Sequence, residues 1–228
     1  MTRIVGEEAR RLILGPADKA ARRLIGAVLV RVLPTGERLS GRIVETEAYL
    51  GVRDRASHAF GGRRTARNES MYRGAGVGYV YFTYGMHFCF NVVCGEVGEP
   101  AAVLVRAIEP LEGIELMRER RELGARRTRT GGTPASPAAE KKALRDVELC
   151  NGPGKLCQAM GIDRELDGVD VLSDGALRLE LTAPVRRLGR GTRIGIDSAG
   201  AWAARRLRWV EAGSGFVSRP VGKASAGE

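Results

Sequence analysis

The chain has 228 residues, 43% of them hydrophobic, which is enough for a sizeable buried core and excludes disorder of the whole. Lysine and arginine number 37 against 27 aspartates and glutamates, a net charge of +10 with a sequence pI of about 10.0, which favours polyanionic partners. No apolar run approaches the roughly 18 residues of a membrane span, and MTRIVGEEARR is charged before any apolar stretch, so no signal peptide, no membrane and an intracellular location are expected.

Residues 7–26 predict two short helices, EEARRLILG and ADKAARRLIG, interrupted by Gly15 and Pro16. From Ala27 to Leu50, VLVRVL, a turn at Pro34, Thr35 and Gly36, and RIVETEAYL predict an antiparallel hairpin. Tyr79 to Cys94 predicts a second pair of strands with a bend at Gly85, and Ala101 to Ile108 a buried strand ended by Pro110. Leu111 to Leu123 has helical periodicity, with Leu111, Ile114 and Met117 on one side. Gly124 to Ala139, rich in Gly, Pro, Thr and Arg, predicts a flexible surface loop.

Helical signals resume at Lys141, and Asn151 to Lys155 form a turn that starts another helix near Pro153. Residues 169–197 alternate as short strands, the Trp202 region predicts a short helix or turn, and Arg208 to Val217 a last strand. The tail 219–228 is expected to be disordered. Cys89, Cys94, Cys150 and Cys157 lack the spacing of a zinc knuckle, so reduced core thiols, no metal and no cofactor are expected.

All five tyrosines and four of the five phenylalanines fall between Tyr49 and Phe90, in a chain with 5% aromatic residues. An aromatic segment in a basic protein points to nucleobases stacked on rings while phosphates meet arginines. Glu45 and Glu47 are two apart and share a strand face; either could be a base beside Tyr49, and the same spacing suits a solvated carboxylate. Tyr79 and Tyr81 share one strand face, Phe82 and Tyr84 the other, so one set can line a pocket while Tyr84, next to Gly85, projects as a wedge; core packing of all four is the alternative.

Both histidines lie in this segment: His58, in the loop SHAFGG, and His87. Arg63, Arg64 and Arg67 follow the first as candidate phosphate clamps. Asn91 and Arg106 are polar groups inside apolar strands; Asn91 either reads a ligand edge or satisfies backbone, and Arg106 needs a carboxylate or phosphate partner. Lys155 stands at a helix start that offers free N–H groups to an anion.

GRIVETEAYLG, SHAFGGRRTARNESMY, YVYFTYGMHFCFNVV, VLVRAIEPLEG and ELCNGPGKLCQAMGI, in that order, resemble the alkyladenine (3-methyladenine) DNA glycosylases of the mammalian type; RIGI and the Trp202 region do so more loosely. The resemblance implies a monofunctional enzyme of base excision repair that flips an alkylated or deaminated purine out of double-stranded DNA and hydrolyses its N-glycosidic bond. It implies Glu47 rather than Glu45 as general base, Arg106 as holder of the water and the flipped nucleotide, and Tyr49, His58 and Tyr81 as pocket walls. Asn91 falls at the position that discriminates against guanine, Tyr84 at the wedge, and Lys155 and Arg164 at backbone contacts. His87 stands where the family often has tyrosine, and the loop 124–139 differs from the family in length and composition.

The expected architecture is a single α/β (α+β) domain over residues 1–228, with an antiparallel sheet core, surrounding helices and a protruding hairpin. It is expected to act as a monomer in the cytoplasm, on the nucleoid if bacterial. From the residues alone, a non-catalytic nucleic-acid binding module or a glycosylase of RNA bases remains open.

Overall fold

The computed structural model describes residues 3–83, 85–127 and 143–221. Two short helices open the chain, α1 (Gly6–Ile13) and α2 (Ala17–Leu24). In α2 the buried Ala17, Ala20, Ala21 and Leu24 recur at the spacing of one helical face, and that face packs on the sheet. The break between the helices falls at Gly15 and Pro16, as expected.

The strands β1 (Val28–Val32) and β2 (Arg38–Tyr49) form the first hairpin, and β3 (Gly78–Thr83) and β4 (His87–Val93) the second. β5 (Ala102–Glu112) follows, then α3 (Ile114–Arg127), α4 (Asp146–Leu149) and α5 (Pro153–Met160). β6 (Leu177–Glu180), β7 (Leu188–Gly191) and β8 (Arg208–Glu211) complete the sheet. All pairings are antiparallel, in the order β3-β4-β5-β2-β1-β6, with β8 beside β2 and β7 beyond β8.

Twelve-residue β2 organises this arrangement. Along one edge it pairs with β1 through Arg38 to Arg42 and then with β8 through Glu45 to Glu47, while β5 occupies its other edge. The β2–β5 register skips Val44 on one strand and Arg106 on the other, so two compensating bulges lie side by side. Bulges re-aim side chains, and these two flank Glu45.

Strand alternation divides the sheet into two faces. Ala48, Val80, Phe90, Val92, Val103 and Val105 enter the main core, which α1, α2, α3 and α5 close with Ile13, Leu24, Met117, Leu156 and Met160. Each large apolar side chain fully buried there contributes about 1.5–3 kcal/mol relative to exposure. On the opposite face Tyr79, Val93 and Ala102 join Ala59, Met71, Tyr72 and Val77 in a smaller cluster against which Tyr81 packs.

Several boundaries differ from the sequence reading. β5 passes through Pro110 to Glu112, because Pro110 stands at a register shift at Ser40/Gly41 and beyond the residues that β4 pairs, where a missing N–H is tolerated. The stop is Gly113, with φ of 73° and no room for a Cβ, which would overlap Leu39 Cδ2. Leu111 is therefore a half-exposed strand residue and does not share a helical face with Met117. The helix α3 continues to Arg127, four residues into the segment expected as a loop; positions 128–139 lie outside the described residues.

β8 ends at Glu211, short of Val217, and residues 197–202 form a short 3-10 helix. Val221 packs against Gly189 and Gly191, while the expected tail from position 222 onward lies outside the described residues. All four cysteines are buried free thiols. No described helix is long and apolar enough to cross a membrane.

Candidate active site

A cavity of about 210 Å³ opens on the face of the sheet opposite the main core. Its lining has the period of strands: Tyr79, Tyr81 and Thr83 from β3, Cys89 and Asn91 from β4, Ala102, Leu104 and Arg106 from β5. Tyr49 contributes from the end of β2, and Ser57, His58, Ile194 and Ile196 from two loops. Residues far apart in sequence thus meet because four neighbouring strands present alternate side chains to one face.

Glu47 lies directly behind this wall and is fully buried. The Tyr49 hydroxyl donates to its Oε2 at 2.9 Å, the Ile194 N–H donates to Oε1 at 2.7 Å, and Arg106 Nη1 stands 3.3 Å from the same oxygen. All three partners line the cavity. The solvated carboxylate that spacing allowed is excluded by this burial. Glu45, equally buried, also reaches Arg106, through Nε at 3.3 Å. The unpartnered-charge question posed by Arg106 is answered by two carboxylates.

Burial pushes the Glu47 carboxyl above the usual carboxylate range, an effect that Arg106, the Ile194 N–H and the Tyr49 hydroxyl only partly offset. Burial likewise raises the phenols of Tyr49, Tyr79 and Tyr81, so they remain neutral donors. His58 is lowered by burial, with Arg67 and Arg63 adding to the effect, and is neutral at pH 7. Its Nδ1 is 2.7 Å from the Tyr79 hydroxyl, and its ring meets Tyr81 edge-on with centroids 4.5 Å apart. Asn91 Nδ2 donates to the Tyr79 carbonyl at 3.1 Å, which satisfies one amide proton while the side chain still lines the cavity.

Outside the mouth, Arg63 and Arg67 line an adjoining groove of about 500 Å³ together with Arg55 and His58. Arg64 turns to Glu69 instead, in a two-pronged exposed pair. Lys155 is exposed on the first turn of α5, its Nζ 2.8 Å from Asn151 Oδ1, next to cavity-lining Pro153. Arg164 is exposed and does not line the cavity. Tyr84 lies outside the described residues; its neighbours Thr83 and Gly85, the latter with φ of 66°, flank the turn of the β3–β4 hairpin. His87 packs against Gly154, where an added Cβ would stand 3.0 Å from the imidazole.

A family model described as methylpurine-DNA glycosylase matches residues 11–215, which include every element of the cavity. The chain belongs to the methylpurine-DNA glycosylase family. DNA-3-methyladenine glycosylase of Homo sapiens is 46% identical over 206 residues, which cover 89% of this chain and 65% of that protein. The Mus musculus protein of the same name is 46% identical over 208 residues, covering 89% and 58%. A putative 3-methyladenine DNA glycosylase of Methanocella arvoryzae is 44% identical over 204 residues, covering 90% and 92%. The chain spans about three-fifths of the length of the mammalian relatives and nearly all of the archaeal one.

Within this methylpurine-DNA glycosylase fold, three contributors to the site had not been singled out from sequence. Asp54 and Arg193 form a fully buried pair, with Asp54 also accepting from the N–H groups of Leu50 and Ala56, each at 3.0 Å. The Arg193 guanidinium stands 4.7 Å from the centre of the Tyr49 ring and donates to the Ala48 carbonyl. It thereby fixes both a pocket ring and the adjoining Ile194 that bonds Glu47. The third contributor is Cys89, whose thiol meets the Tyr81 hydroxyl. The segment RIGI held the available signal for Arg193 and Ile194, but nothing local shows that its backbone caps a glutamate 147 positions away.

Proposed function

We propose that this chain is a monofunctional DNA glycosylase that flips an alkylated or deaminated purine out of double-stranded DNA and hydrolyses its N-glycosidic bond, acting as a monomer in base excision repair. The observation that carries this reading is the buried Glu47, held by Tyr49, Arg106 and the Ile194 N–H behind a cavity walled by tyrosines and a neutral histidine. The cavity is below the range typical of drug-sized ligands and suits a single base. Family membership and the names of the relatives support the same reaction.

In this mechanism Glu47 accepts a proton from the water that attacks C1′, and its charge stabilises the oxocarbenium-like transition state. Arg106 orients the carboxylate and holds the water and the flipped nucleotide. Tyr49, His58 and Tyr81 enclose the base, and the faces of the tyrosines attract a cationic alkylated purine by roughly 0.5–2 kcal/mol. Asn91, which lines the cavity, is proposed to oppose the exocyclic amine of guanine. Water is proposed to attack directly, which leaves the product strand uncut. Neutral lesions such as hypoxanthine need protonation to leave.

Arg63, Arg64, Arg67, Lys155 and Arg164 are proposed to meet phosphates around the mouth. Affinity for duplex DNA is accordingly expected to fall linearly with salt on logarithmic axes, as counterions are released. Titrations at several salt concentrations check this, and a flat profile contradicts the basic face. Tyr84 is proposed as the wedge that fills the gap left by the flipped nucleotide. The substitution Tyr84→Ala should lower single-turnover excision by reducing the flipped population while leaving the fold intact; unchanged excision argues against the wedge. A cytoplasmic site of action, on the nucleoid in a bacterium, goes with a DNA substrate.

The test of the whole reading is a base-release assay on DNA duplexes each carrying one modified purine, with matched RNA duplexes in competition. Free base from DNA and an intact abasic strand are expected. Failure to release any base sinks the reading, and preferential release from RNA redirects it.

A further inference from the structure

Glu45 and Glu47 are both fully buried and both engage Arg106, yet their surroundings differ in one respect that separates their jobs. A carboxylate offers about four acceptor positions. In Glu45, Oε1 accepts from Arg106 Nε at 3.3 Å, Arg208 Nη1 at 2.9 Å and Ser218 Oγ at 2.9 Å, and Oε2 accepts from the Ser218 N–H at 2.5 Å. Glu47 has three partners, Tyr49 on Oε2 and Arg106 and the Ile194 N–H on Oε1, and all three line the cavity. Neither carboxylate is itself a lining residue, but of the partners of Glu45 only Arg106 lines the cavity, and Glu45 stands between the two bulges of the β2–β5 ladder, where side-chain direction is set by the skipped residues Val44 and Arg106.

We propose that Glu45 is a positioning residue: it grips Arg106 through Nε so that Nη1 stays on Glu47, and through Arg208 and Ser218 it ties that geometry to β8 and the segment beyond it. The role rests on the glycosylase reading above. Arg208 strengthens the tie, since it also donates to the carbonyls of Thr192, two residues before Ile194, and Arg219. The two glutamates and two arginines balance in charge, so Arg106 is shared between an anchor and a base and is not given wholly to either.

The pH dependence of excision distinguishes positioning from mere support of the fold. The charged and titratable groups around Glu47 are Arg106 from β5, Glu45 and Tyr49 from β2, Tyr81 from β3, Cys89 from β4 and Arg193 from the loop before β8. Those around Glu45 are Arg106, Arg208 and Glu47. Removing the charge of Glu45 takes away a like charge beside Glu47 and leaves Arg106 to Glu47 alone. Both changes favour ionised Glu47, so the acid limb of the profile moves to lower pH while the misaimed Arg106 lowers the plateau.

The experiment measures single-turnover excision across pH, together with lesion-DNA affinity and Tm, for wild type, Glu45→Gln and Ser218→Ala. In Glu45→Gln the plateau is expected to fall about 10- to 100-fold, the scale of a small misplacement of a catalytic group, with affinity retained. The acid limb should move down in pH. For Ser218→Ala, which removes one anchor and no charge, a smaller fall at unchanged Tm with the limb in place is expected. An unmoved limb and unchanged plateau in Glu45→Gln overturn the proposal while leaving the glycosylase reading intact. If that variant does not fold, an unchanged rate in Ser218→Ala overturns it. Wild-type protein that releases no base overturns both.

Discussion

Replacing Glu47 with glutamine is expected to lower base excision by about 100- to 10,000-fold, the range contributed by a positioned general base, while binding to lesion DNA survives. The amide keeps the shape and can still accept from Tyr49 or the Ile194 N–H, but it takes no proton from water and brings no charge to an oxocarbenium-like carbon. Single-turnover release and an equilibrium binding titration on the same duplex check both halves. Loss of binding in parallel with release would show that Glu47 holds the fold or the base without doing chemistry.

The same glutamate sets the acid side of the wild-type profile. Because burial raises its pKa, the ionised base is lost as pH falls through a value above the ordinary glutamate range of about 4.3, and excision should decline there. The sign for stability is the reverse. An acid whose folded-state pKa is raised binds its proton more tightly in the folded protein, so its unfavourable contribution is present above the folded pKa and relieved as pH falls below it. Activity and the local stability contribution of Glu47 therefore trend in opposite directions over that window, which is how a functional carboxylate inside a wall of apolar strands should behave.

Loss of the Asp54 carboxylate is expected to have the largest effect on stability, about 3–5 kcal/mol in Asp54→Ala, the cost of leaving a buried partner charge unpaired. Arg193 has no exposed surface on its side chain and is left with the Ala48 carbonyl and the Tyr49 ring. The N–H groups of Leu50 and Ala56 lose their acceptor at the same time, in the chain that leads from Tyr49 towards His58. Urea unfolding monitored by two probes measures the change. A difference under about 1 kcal/mol, the scale of an exposed pair, would show that the pair is hydrated or replaceable. Excision should fall further than the folded fraction accounts for, because Arg193 also places Tyr49 and Ile194.

Much of this molecule was legible before its structure. The alternation in RIVETEAYL and in YVYFTYGMHFCFNVV predicted the strands β2, β3 and β4, since a half-apolar strand must repeat every two residues to bury one face. The break at Gly15 and Pro16 and the helix start at Pro153 followed from backbone chemistry that no tertiary context alters. Pro110 misled because proline is an obstacle only where the ladder needs its N–H, and whether it does depends on a neighbouring strand forty or more residues away in sequence. The arginines diverged for a related reason: Arg63 and Arg67 line the groove, whereas Arg64 spends its charge on Glu69.

By itself, the sequence determined the basic charge, the concentration of rings between Tyr49 and Phe90, and the local periodicities that make an antiparallel sheet with flanking helices. These are short-range properties, carried by side-chain types and their spacing. The tertiary structure alone decided which glutamate faces the cavity wall, that Arg106 is divided between the two, and that Asp54, Arg193 and Ser218 belong to the same assembly. Those roles depend on strand register and on partners more than a hundred positions distant, and a one-residue bulge reverses which face a side chain meets.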